Sequence, residues 1–137
     1  MGETKRILVV DDDPDITDQL SLFLKEKGYA VTTANSQAEA EELLLSFRPD
    51  AAVIDLMMEE QDSGFVLCYE LKMIHPALPV IILTSVKAAT GLSFVPASQE
   101  EQSWVKADSL LDKPVRMERL DSELKRLLDR AAANSGA

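Results

Sequence analysis

Three short apolar runs punctuate the chain: Ile7-Leu8-Val9-Val10, Ala51-Ala52-Val53-Ile54 and Val80-Ile81-Ile82-Leu83. They are largely β-branched and do not alternate apolar with polar positions, the pattern of parallel strands covered on both faces. Ala30 to Thr33 and Ser109 to Leu111 carry more polar character and predict two further strands nearer the edges of the same sheet. Between these runs the period changes to that of a helix. Ile16, Leu20, Phe23 and Leu24 fall on one face, and Ala40, Leu43, Leu44 and Phe47 form another. The second helix opens on Ser36-Gln37-Ala38-Glu39, a capping box that can satisfy two free amide groups, and is predicted to stop before Pro49. A third helix runs from about Ser63 to His75 and is stopped by Pro76, while a fifth carries Met117, Leu120, Leu124, Leu127 and Leu128 on one face. The fourth, Ser98 to Lys106, begins with another capping box, Ser98 with Glu101, but has few apolar positions apart from Trp104 and Val105.

Strands alternating with helices predict an α/β fold. Right-handed crossovers then give a doubly wound (βα)5 three-layer sandwich, with functional loops at the carboxyl ends of a parallel sheet. The 137 residues, 46% of them apolar, suffice for one domain and one continuous core. That core is expected to span about residues 5–128, with a tail from Ala131 to Ala137 that frays. With 14 basic against 24 acidic residues the formal net charge is -10, which repels nucleic acid phosphates and anionic membrane surfaces. The one cysteine, Cys68, cannot form an internal disulfide, and the N-terminal region has neither a signal-like nor a membrane-length apolar run. A cytoplasmic protein is the expectation.

The polar residues just past the buried strands carry the chemistry. The first strand ends in Asp11, Asp12 and Asp13, the third in Asp55 and the fourth in Thr84 and Ser85; the fifth leads through Asp112 into Lys113 and Pro114. All should meet at one rim of the sheet. Several carboxylates in a small volume repel one another unless a counter-charge joins them. A magnesium ion, which prefers oxygen ligands and keeps several waters, suits such a set, with Asp12 and Asp55 as direct ligands. Lys113 adds a positive charge and Thr84 a hydroxyl donor, both suited to phosphate oxygens, so the expected chemistry is phosphoryl transfer to a carboxylate.

The segments ILVVDDDPDI, PDAAVIDLMM, PVIILTS and LLDKPV, in this order and at strand ends, resemble the response-regulator receiver family over Lys5 to about Leu128. The resemblance implies a flavodoxin-like fold with strand order 2-1-3-4-5. It implies Asp55 as the phosphoacceptor, taking the group from the phosphohistidine of a histidine kinase or phosphotransfer protein. Magnesium is then held by Asp12, Asp55 and the backbone carbonyl of Met57, with Asp11 acting mainly through a metal-bound water. Thr84 and Lys113 contact the phosphoryl group, and their movement reshapes a partner-binding surface near the fourth helix, fifth strand and fifth helix. Such a module is a signalling switch with self-catalysed phosphoryl transfer and autodephosphorylation rather than a metabolic enzyme. Its output goes to a downstream protein or a separate output domain, and a homodimer on the same face is a further expectation. The Lys113–Pro114 bond is expected to be cis.

The chain departs from the family pattern in three places. A proline four residues after the phosphoacceptor and a glycine eight after are usual, whereas here Glu59 follows and the glycine, Gly64, comes nine after. The switch position three before the lysine, commonly aromatic, is Leu110, which puts coupled movement with Thr84 in question. The stretch from Thr84 to Lys113 is also several residues long for the family; the excess is assigned to residues 87–96, an apolar-tipped loop expected to dock a partner or cover the site. Met57 and Val86, two residues beyond Asp55 and Thr84, are positions that modulate hydrolysis in the family. Both are apolar here, so a persistent phosphorylated state is predicted.

Plainer readings stand beside these. The three aspartates before Pro14 can be a helix N-terminal cluster, favoured by the dipole. His75 at a helix end and Cys68 beside Phe65 and Leu71 read as structural, and Trp104 as core packing. Two other functions compete: a phosphate-independent pseudo-receiver scaffold, motivated by Leu110 and the irregular loop, and a flavin binder, for which the first loop is too acidic. The chain reads either as a stand-alone receiver or as part of a longer regulator or hybrid kinase.

Overall fold

The computed structural model describes residues 4–58, 63–85 and 107–135. Its five strands are β1 (Arg6–Val10), β2 (Ala30–Ala34), β3 (Ala51–Asp55), β4 (Val80–Ser85) and β5 (Ser109–Lys113). All pair in parallel, in the order β2-β1-β3-β4-β5. The three unalternated runs form the middle of the sheet, where both faces are covered, and the two more polar strands form its edges, as their sequences predict. This is the flavodoxin-like doubly wound arrangement.

The helices divide between the faces. On one, α1 (Pro14–Glu26) and the C-terminal helix α4 (Met117–Ser135) cover Ile7, Val9, Val53 and Ile81 with Leu20, Leu24, Leu120 and Leu124. On the other, α2 (Gln37–Leu43) and α3 (Ser63–Ile74) cover Leu8, Val10, Ile54 and Ile82 with Ala40, Leu67, Cys68 and Leu71. Neighbouring residues of one strand serve opposite cores because side chains alternate across a sheet. Burial pushes the Cys68 thiol up to about 12, consistent with its reading as a small core residue.

Several boundaries differ from the pattern-based ones. The α2 helix stops at Leu43 rather than running to Pro49; Leu44 to Ser46 form turns, with Leu45 exposed to solvent. Leu44 and Phe47 still pack against the core, which explains why the apolar period outlasts the helix. Its capping box is half formed: Ser36 Oγ accepts the Glu39 amide at 3.0 Å, but the Glu39 carboxylate reaches the amide of Asn35 at 2.7 Å, one residue further back. The tail expected to loosen from Ala131 instead continues α4 to Ser135, through three alanines that favour helix. The Lys113–Pro114 peptide is cis, as the resemblance implies. The fourth sequence-predicted helix, Trp104, Val86 and the 87–96 loop lie outside the described residues.

Candidate functional site

Parallel pairing carries the ends of β1, β3, β4 and β5 to one rim. Asp55 sits in register with Leu83 on β4, and Thr84 with Asp112 on β5. Asp11 follows Val10 directly and remains tied to the sheet, its amide donating to the Ala34 carbonyl at 3.1 Å. Lys113 closes the set from the last position of β5. Its Nζ lies 2.9 Å from Asp11 Oδ2 and 2.8 Å from Asp55 Oδ1, with Asp11 and Asp55 both buried. Thr84 is buried beside them, 5% exposed.

The three leading aspartates take separate roles. Asp13 is the N-cap of α1, its Oδ1 accepting the Asp15 amide at 3.0 Å, with Pro14 in the first turn. The helix-end reading is therefore right for Asp13 alone. Asp11 turns inward; its Oδ1 accepts the Asp13 amide at 2.9 Å while Oδ2 faces Lys113. Asp12 is exposed and completes a group with Asp11 and Asp55 whose ligand atoms all lie within 4.8 Å of one another.

Three carboxylates face one ammonium here, and their ionisation responds accordingly. Burial first, with help from the charges of Asp11 and Asp12, raises the Asp55 carboxyl from 3.8 to about 6 against the pull of Lys113. Burial and then Asp11 also hold Asp12 above its ordinary value. Burial alone would lower Lys113, but its hydrogen bonds to Asp55 and Asp11 outweigh this and hold it above the usual lysine range. Lys113 thus leaves an excess of negative charge, which an oxygen-loving divalent cation can neutralise.

A family model, the response regulator receiver domain, matches residues 7–125. The chain belongs to that family. Among curated proteins the receiver is 37% identical over 132 residues to the response regulator MprA of Mycolicibacterium vanbaalenii, covering 96% of this chain and 54% of the relative. It is 38% identical over 125 residues to MprA of Mycobacterium ulcerans, covering 91% of this chain and 50% of the relative. The chain therefore spans about half the length of these relatives. A CheY-like receiver domain protein from Methanospirillum hungatei superposes with a TM-score of 0.80 at 26% identity, over 96% of this chain and 99% of the other. The receiver domain of a signal transduction histidine kinase from Syntrophus aciditrophicus gives 0.74 at 30% identity, over 92% and 91%.

Of the residues singled out in the receiver's sequence, Asp11, Asp12, Asp55 and Lys113 come together, with Thr84 on the adjoining strand end. Met57 lies in the loop after β3, 38% exposed. Leu110 stands three positions before Lys113 on the edge strand, in register with Ile82. It is 45% exposed on β5 and lines an open groove with Pro114 and Arg116 of the segment leading into α4 and Arg119 in the first turn of that helix. His75 is half-buried near the end of α3, and its pKa is lowered, by burial first and then by Arg48.

Gly64, nine residues after Asp55 in the sequence, makes a close contact with the end of β3. A Cβ on Gly64 would stand 2.5 Å from the Asp55 carbonyl oxygen and 2.7 Å from Leu56 Cα, and the Gly64 amide donates to the Leu56 carbonyl at 2.7 Å. Only glycine permits this approach of the α3 N-terminus to the end of β3. The spacing to Gly64 is visible in the sequence, but this contact is not. Nor does the sequence single out Asn35, which bonds the Asp11 main chain, or Asp108, which joins Lys72, Arg130 and the Val80 amide. Asn35 carried one available signal, a polar amide directly after a strand in a fold whose strand ends are functional.

Proposed function

We propose that this receiver takes a phosphoryl group onto Asp55 in a magnesium-dependent transfer from the phosphohistidine of a histidine kinase or phosphotransfer protein. The observation that carries the reading is the Asp11, Asp12 and Asp55 group closed by Lys113. In the transfer, an Asp55 carboxylate oxygen attacks phosphorus, an O–P bond forms, the N–P bond to histidine breaks, and the nitrogen keeps the electron pair. The donor set fits magnesium: its members are oxygen ligands, close together and carrying more negative charge than Lys113 offsets. Asp12, Asp55 and the Met57 carbonyl are assigned to the ion, with Asp11 acting through bound water. When bound, the ion neutralises charge on the carboxylate and on the phosphoryl oxygens.

The side chains of the receiver supply the rest. Lys113 already touches Asp55 and can exchange that contact for a phosphoryl oxygen, and Thr84 offers a hydroxyl from the next strand end. Signalling then passes through a surface that includes β5 and α4, towards an output domain or a separate protein. The apolar Met57 beside the site supports slow loss of the phosphoryl group, since it cannot orient an attacking water by strong hydrogen bonds. Retention of the acidic group and Lys113 favours this reading over a phosphate-independent scaffold. We assign residues 1–137 to one receiver domain and propose a cytoplasmic setting, where the histidine kinase partner would act. No helix among the described residues is long and apolar enough to cross a membrane.

The test is intact mass after incubation with acetyl phosphate and magnesium. One phosphoryl adduct is expected, absent with EDTA and absent in Asp55→Asn. An unmodified wild type, alongside a receiver that is modified under the same conditions, would overturn the reading in favour of the scaffold.

A further inference from the structure

We propose that Asn35 is a positioning residue for the magnesium site, its side-chain amide holding the Asp11 carbonyl and so fixing the peptide link between Asp11 and Asp12. The inference rests on the magnesium reading of the acidic group given above.

The ladder between β1 and β2 ends at the pair Val10 and Ala34, so the chain beyond it must be held by other contacts. The Asp11 amide still reaches the Ala34 carbonyl at 3.1 Å. The Asp11 carbonyl is past the last paired position, in a residue only 1% exposed, where an unpaired acceptor would be costly. Asn35 Nδ2 donates to it at 2.9 Å. The same nitrogen lies 3.2 Å from Thr17 Oγ1 on α1, whose hydroxyl donates to the Pro14 carbonyl at 3.0 Å. Asn35 is itself anchored: its main-chain amide donates to Glu39 Oε1 at 2.7 Å, a short bond to a carboxylate. One side chain thus ties the end of β1 to the first turn of α1, and α2 holds it in place.

The residue type matches the task. Both partners of the amide nitrogen present oxygen acceptors, so one NH2 group with two hydrogens can serve both. Alanine leaves the Asp11 carbonyl without this donor. Serine is too short to span the same gap. Because Asp11 Oδ1 also accepts the Asp13 amide, freeing the carbonyl would let the whole Asp11–Asp13 turn shift against Asp55. Residues that orient metal ligands from one step away commonly change metal affinity by 10–100-fold.

The experiment is calorimetric titration of the full chain with magnesium chloride, for wild type, Asn35→Ala and Thr17→Val. About a tenfold weaker affinity is expected for Asn35→Ala, at the low end of that range. Thr17→Val, which removes the other partner of the amide and leaves the Asp11 contact in place, should bind within about twofold of wild type. Acetyl phosphate kinetics supply a second readout: Asn35→Ala should need about tenfold more magnesium for half-maximal rate yet approach the wild-type rate at saturation. Asn35→Ser replaces Asn35→Ala if the alanine variant does not fold. A folded Asn35 variant that binds magnesium as tightly as wild type, even with a lowered unfolding midpoint, would leave Asn35 a purely structural residue. If the wild type itself does not bind magnesium, the reading of the acidic group fails and the assignment of Asn35 fails with it.

Discussion

At the scale of single residues, Asp55 carries opposed demands. The proposed transfer asks it to be an accessible, ionised nucleophile, yet it is 6% exposed and faces two other carboxylates. Its carboxyl is raised from 3.8 to about 6, so the folded protein holds this proton more tightly than the unfolded chain does. The resulting stability is fully present below about pH 4 and is lost as pH rises through 6. An asparagine side chain at this position cannot titrate. In EDTA, Asp55→Asn should therefore gain stability over wild type across that window, by about 1–2 kcal/mol at pH 8, and show little difference at pH 4. Urea unfolding at the two pH values checks this. Gly64 is constrained by space rather than charge. Gly64→Ala must push the α3 N-terminus away from the Asp55 carbonyl, and a loss of about 1–3 kcal/mol is expected in the same assay, with slower phosphorylation because Asp55 moves.

At the scale of elements, the edge strand β5 is fastened at both ends by charge. At its carboxyl end Lys113 bridges to β1 and β3 through Asp11 and Asp55. Just before its start, Asp108 Oδ2 accepts from Lys72 of α3 at 2.7 Å and from the Val80 amide of β4 at 2.8 Å, while Oδ1 meets Arg130 of α4 at 3.1 Å. Such a half-buried junction is worth more than a surface pair, because removing one partner strands the others. Asp108→Ala is expected to cost about 2–3 kcal/mol and to raise amide exchange in β5 more than in β1. Uniform exchange across both strands would show that the junction does not hold β5 in particular. The short α2 is fastened differently, by Ser36 at its start and by the Glu39 link to Asn35, so its placement is coupled to the acidic loop.

At the scale of the whole molecule, a chain of formal net charge -10 gathers three of its carboxylates around one partly covered lysine. That arrangement stores repulsion; if the proposed magnesium ion binds there, it relieves this repulsion and links metal binding to stability. Magnesium at about a hundred times its dissociation constant should stabilise the protein by about 2.7 kcal/mol. Thermal unfolding with and without magnesium, at matched ionic strength, measures this, and most of the gain should vanish in Asp12→Asn. An equal gain from sodium chloride would point to general screening instead.

Much of this architecture was legible in the chain itself, for a physical reason. Burial on both faces demands uninterrupted apolar residues, so Ile7–Val10, Ala51–Ile54 and Val80–Leu83 identify the central strands locally, and the edge strands betray themselves by polarity. The alternation of strands and helices then implies the parallel sheet, and the parallel sheet implies that Asp11, Asp12, Asp55, Thr84 and Lys113 share a rim. Hydrogen-bond partners carry no such local signature, because they depend on positions in space that every packed element helps to set. Asp-Asp-Asp by itself does not separate the three: the family resemblance set Asp11 and Asp12 beside Asp55, and only the structure shows Asp13 capping α1. Nor does Lys113, 102 residues from Asp11, announce that it will touch both buried carboxylates. The close approach of Gly64 to Asp55, the grip of Asn35 on the acidic loop and the junction at Asp108 were likewise decided only when the helices packed on the sheet.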